Sequence, residues 1–128
     1  MRALISFALA LSLATSFATA AAQAPSANVR TMAGILAKLN HFPNDAEKAT
    51  LGGIVKSDTA TAHEKTIAQA LINTMHTANA ADKPKLEAVA KDSAAPQGVK
   101  TLAGVIASLN HTASPAEKAE LTKLAAAN

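Results

Sequence analysis

The chain has 128 residues, 49% of them hydrophobic and 2% aromatic, with a net charge of +3 and no cysteine. That length makes one domain the natural count, and the mild charge lacks the lysine and arginine density of a nucleic-acid binder. Without thiols there is neither a disulfide framework nor a thiolate metal site, and the scarcity of aromatics removes a stacking platform for bases or sugars.

Residues 1–22 carry the pattern of a secretory signal peptide. Arg2 supplies the charged start, Ala3 to Ala14 the apolar segment, and small residues lead to A-x-A cleavage sites at Ala18-Thr19-Ala20 and Ala20-Ala21-Ala22. The expected mature protein is therefore exported, periplasmic or secreted from a bacterium, with no stable membrane insertion after cleavage. The Ala/Ser/Thr content of this segment makes it a poor membrane span.

Residues 23–128 form one expected domain built on an internal repeat. Val29 to Gly53 and Val99 to Lys123 align at a shift of seventy positions. They share Val29/Val99, Thr31/Thr101, Gly34/Gly104, Leu39/Leu109, Asn40/Asn110, His41/His111, Glu47/Glu117, Lys48/Lys118 and Leu51/Leu121. A more diverged copy, Glu64 to Ala88, lies halfway and keeps Thr66, His76, Lys83 and Leu86. An exact 35-residue period is the signature of stacked supersecondary units. The length is close to that of tetratricopeptide-type hairpins. The tryptophan, tyrosine and proline signature positions are missing, so no family is assigned.

The expected fold is all-α, with three tandem helical hairpins near 27–56, 62–91 and 97–127, about six helices in all. It forms either a small α-solenoid or a closed helical bundle. The first helix of each hairpin has an apolar face at helical spacing: Val29, Met32, Ala33, Leu36 and Leu39; Ile67, Ala68, Leu71 and Met75; Val99, Leu102, Ala103, Ile106 and Leu109. Turns are expected at Phe42-Pro43, Thr77-Ala78 and Thr112-Ala113. The second helices open with Asn44, Asn79 and Ser114, each followed three residues later by a carboxylate, and Thr61 with Glu64 gives the middle first helix the same signature. Pro84 should bend or delay the start of its helix. Leu51, Leu86 and Leu121 are expected to be equivalent core positions.

Two recurring sets carry whatever chemistry the chain has. His41, His76 and His111 share one position at the hairpin tips. The plainer role is to finish the helix, donating to orphan carbonyls at the negative end of the dipole. The sharper role is a metal site for zinc, copper or nickel, which imidazole suits. That site requires the three hairpins to close around an axis so that their tips converge, because neighbouring helices otherwise stand roughly 8–10 Å apart. Lys48, Lys83 and Lys118 also recur and could contact an anion together with the tip histidines, or simply keep their ammonium groups in water. No nucleophile elbow or phosphate-binding glycine loop is present, and the glutamates have no recurring partner. The functional expectation is thus an exported, non-catalytic helical-repeat protein for protein interaction or self-association, with a protein partner or a homo-oligomer and no cofactor. The alternative is a periplasmic metal- or anion-binding protein using the tip histidines.

Overall fold

The computed structural model describes residues 23–128; the signal-peptide expectation for residues 1–22 lies outside them. The described chain is all-helical: α1 (Ala27–Lys38), α2 (Asp45–Lys56), α3 (Ala62–Asn73), α4 (Lys83–Lys91), α5 (Gln97–Ser108) and α6 (Pro115–Ala126). Among the described residues no helix is long and apolar enough to cross a membrane.

The starts are set by side-chain caps. Asn44, Thr61 and Ser114 each accept from the backbone N–H three residues on, and Glu47, Glu64 and Glu117 reciprocate to the cap's own N–H. Both orphan donors at each start are thereby satisfied. Ser26 caps α1 by accepting from the Val29 N–H. The Asn79 cap works differently from its counterparts. Its Oδ1 accepts from Ala81, its carbonyl accepts from Asp82 and Lys83, and α4 proper starts only at Lys83. Pro84 at the start of α4 has no N–H to give to an earlier turn, so the helix is delayed and shortened to nine residues.

Helices α1, α3 and α5 contact one another and form an inner triad. The outer helices pack most extensively on the inner helix of the next segment: α2 on α3, α4 on α5, and α6 back on α1. This last contact joins the first and last described helices, so the ring of helices closes on itself. At the seam the Arg30 guanidinium donates to the Ala127 carbonyl, 3.1 Å away. Gly98 lets α5 approach the seam closely: a Cβ there would lie 3.0 Å from Leu124 and 3.1 Å from Val29.

The core follows from the apolar faces. Met32, Leu36, Ile67, Leu71, Leu102 and Ile106 of the inner helices, and Leu51, Leu86 and Leu121 of the outer ones, are fully buried. Burial of each such side chain contributes about 1.5–3 kcal/mol. One face residue departs from expectation. Met75 lies two residues beyond α3 and is 70% exposed, while Thr74 takes the buried position that Leu39 and Leu109 occupy in the other segments. Thr74 tolerates burial because its hydroxyl donates to the Ala70 carbonyl at 2.8 Å.

A candidate metal centre at the helix tips

Each inner helix ends in the same way. The residues after the last turn, Leu39, Thr74 and Leu109, are extended and donate their N–H to the carbonyl three residues earlier. Two residues further on come His41, His76 and His111, with φ of 77°, 64° and 64°. They are the non-glycine residues with positive φ among those described. Histidine is one of the few side chains enriched in this left-handed region, but it still costs about 1–2 kcal/mol there.

The reversed backbone ties the three tips together. The His41 N–H donates to the His111 carbonyl (3.0 Å), the His76 N–H to the His41 carbonyl (2.8 Å), and the His111 N–H to the His76 carbonyl (2.5 Å). Each histidine donates once and accepts once, so the hydrogen bonds run in a closed ring. The condition set by the sequence for a shared site, convergence of the tips around an axis, is met in the structure.

The side chains follow the backbone. Ring centroids are 4.9 Å apart for His41–His76, 5.4 Å for His41–His111 and 5.0 Å for His76–His111, with interplanar angles of 86°, 79° and 60°. One ring nitrogen from each histidine lies within 4.8 Å of the other two. An ion bound tetrahedrally at 2.0–2.1 Å would hold three imidazole nitrogens about 3.3 Å apart and the centroids about 5.2 Å apart. The centroids are close to that spacing, and the nitrogens have to draw in from within 4.8 Å to about 3.3 Å to share an ion. His76 and His111 are exposed and His41 is half-buried, which leaves the remaining coordination positions facing solvent. His111 Nδ1 lies 2.9 Å from Asn110 Oδ1. With Nδ1–H donating to that oxygen, the Nε2 lone pair is left for an ion.

Capping is not what these side chains do. Among the described residues, none of the three rings donates to a helix carbonyl; the carbonyls of Leu36, Leu71 and Ile106 accept instead from the backbone N–H groups of Leu39, Thr74 and Leu109. The lysines do not converge in the same manner. Lys48 and Lys118 are half-buried and Lys83 is exposed, and the Lys48 ammonium lies 5.7 Å from the centroid of the Phe42 ring. The N–H groups of Glu47 and Glu117 beside them are taken by the helix caps.

Sequence reasoning missed one polar cluster, at the opposite end of the inner triad. Glu64, only 4% exposed, accepts from the Ser26 hydroxyl on Oε1, and from Asn28 Nδ2 (3.1 Å) and the Thr61 N–H (3.0 Å) on Oε2. Burial pushes its carboxyl up, but the bonds from Ser26, Asn28 and Thr61 together outweigh that and hold it below the ordinary glutamate range. The available signal was Glu64 itself, which stands where the other copies have Val29 and Val99.

No protein-family model matches the chain, and no similar curated protein or solved structure is found.

Proposed function

We propose that this is an exported, non-catalytic protein that binds a transition-metal ion through His41, His76 and His111. The observation that carries the reading is the convergence of three imidazole nitrogens to within 4.8 Å at an exposed apex. The side-chain choice supports it as well. A tip that needed only positive φ would be best served by glycine. Three histidines held at a conformational cost, with their rings directed together, point to use of the rings.

Thermal melting of the full chain with and without zinc, copper or nickel tests this reading. An ion that binds only the folded state stabilises by about 2.7 kcal/mol at a hundredfold excess over its Kd. The gain should vanish in acid, where imidazole must give up the ion for a proton, and in the triple His41→Gln, His76→Gln, His111→Gln variant. A melting temperature indifferent to all three ions would end the proposal. Self-association is the second reading, favoured by Phe42 and Met75, the large apolar side chains left exposed near the apex. Sedimentation of wild type and Phe42→Ser at several concentrations decides it.

A further inference from the structure

We infer that a cavity at one seam of the bundle binds a small aromatic carboxylate, independently of any ion at the apex. The cavity has a volume of about 350 Å³ and is lined by Phe42, Lys48, Ile72, Asn73, Met75 and Asn79. It lies where α2 and the tip after α1 meet the end of α3 and the tip that follows it.

A break in the repeat singles this seam out. The residues of the other two seams follow by stepping 35 positions along the chain. In place of Phe42, Ile72 and Met75 one has Thr77, Ala107 and Asn110, and the other has Thr112, Ala37 and Asn40. Both therefore hold the same threonine, alanine and asparagine. The fold closes at those seams with small and polar side chains, so it does not require large apolar ones at the third. Yet three separate positions change together, all toward greater apolar size, and all three line one cavity. Phe42 and Met75 are also the large apolar side chains left exposed among the described residues, at 51% and 70%. Apolar surface gathered in a concavity and left to water gains by taking an apolar occupant.

The lining sets the chemistry of that occupant. The volume is near the lower end of the range for small-molecule sites, about 300–1,000 Å³, so the occupant is small. A phenyl ring and a thioether both favour an aromatic partner, the first by stacking or edge contact and the second by sulfur–ring contact. Lys48 is the charged residue of the lining, and its ammonium stands 5.7 Å from the centroid of the Phe42 ring. The cation is thus beside the ring that such an occupant would meet. Among the described residues no carboxylate lines the cavity. Asp82, which accepts from Asn73 Nδ2 at 2.8 Å, is buried and has the Lys85 ammonium 3.6 Å away. Asn79 accepts from the Ala81 N–H on its Oδ1, so what it can offer an occupant is its NH2 donor. A cation and an amide donor together suit a carboxylate.

The test is binding of 2-naphthoate to the full chain, followed by backbone amide NMR shifts and by calorimetry. Chelator is present throughout, so that no ion can recruit the carboxylate, and 2-naphthylmethanol serves as the neutral isostere. The triple variant Phe42→Thr, Ile72→Ala, Met75→Asn gives this seam the residues of the other two. In wild type 2-naphthoate should shift the amides of Phe42, Met75 and their neighbours, and the triple variant should weaken binding by about tenfold or more. Should that variant fail to fold, Met75→Asn alone, at an exposed position, carries the comparison, with a loss of about threefold. Lys48→Met should weaken 2-naphthoate by about fivefold and leave 2-naphthylmethanol unchanged. Wild type in which 2-naphthoate moves no amide at the cavity overturns the inference, as does a folded seam variant that binds it undiminished. Equal weakening of both probes in Lys48→Met removes the carboxylate and overturns it too. Sedimentation decides on the other occupant. A wild-type dimer that 2-naphthoate does not dissociate, with a monomeric seam variant, would assign the cavity to a second copy and overturn the small-molecule site. Metal binding that persists in the seam variant would leave the reading of the histidines standing in every case.

Discussion

At the Glu64 end of the inner triad every carboxylate oxygen has a partner, and the group explains itself as structure. It fastens the segment before α1 to the start of α3 through Ser26, Asn28 and Thr61. At the other end, about 18 Å away along twelve-residue helices, the bonds between segments are made by the backbone and not by the side chains. The ring of hydrogen bonds uses the histidine N–H and carbonyl groups, while the imidazoles pair edge to face or tilted with each other and, among the described residues, one of them bonds Asn110. A polar group whose bonds are all internal serves the fold. Three polar side chains brought together on backbone of positive φ, with ring nitrogens converging to within 4.8 Å, are not accounted for by internal bonds in that way.

The two ends share one core, so the largest expected effect is common to both. Leu86 is fully buried on α4, and Leu86→Ala should cost about 2–5 kcal/mol in chemical denaturation. A loss below 1 kcal/mol would mean that the middle segment is not packed as the others are.

The next effect belongs to the Glu64 end alone. Glu64→Gln keeps the shape but replaces a carboxylate acceptor by an amide, and should cost about 1–3 kcal/mol at neutral pH. Because the folded carboxyl lies below its ordinary range, its contribution is complete above the unfolded value and is lost as pH falls through the folded one. The stability difference between wild type and Glu64→Gln should therefore shrink in acid. A difference that instead grows as the pH falls would contradict the assignment.

The helices were legible because the apolar faces of the inner three repeat and the caps of α2, α3 and α6 are local. Residues within four positions of one another decide each start, and the capping boxes at Asn44, Thr61 and Ser114 formed as expected. Closure was not legible. It depends on α6 packing on α1, a contact between distant segments that no local pattern encodes. Positive φ at the histidines was hidden for a related reason: glycine would have announced it, whereas histidine does not. The exchange of Met75 for Thr74 in the core turns on a single hydroxyl finding the Ala70 carbonyl, which spacing alone does not reveal. The bonds to Glu64 cross from one segment to another and were equally invisible.

The smallest effect discriminates most sharply, because its sign differs between the ends. His41→Gly keeps the N–H and the carbonyl that complete the hydrogen-bond ring and removes the side chain from a backbone at φ 77°. Glycine occupies that conformation without steric cost but gives up entropy to the unfolded chain. It also forfeits the edge-to-face contacts with His76 and His111, 4.9 Å and 5.4 Å away between centroids. The balance should be a gain of about 0.5–1 kcal/mol, measured in chelator so that no ion contributes. The same variant should lose most of any stabilisation by added metal, since one of three ligands is gone. A residue kept for the fold behaves the opposite way, as Glu64 should. If His41→Gly is destabilising in chelator, the rings are packing elements and the apex is structural. If it is stabilising in chelator and insensitive to metal, the protein carries a less stable residue there for the sake of the ion.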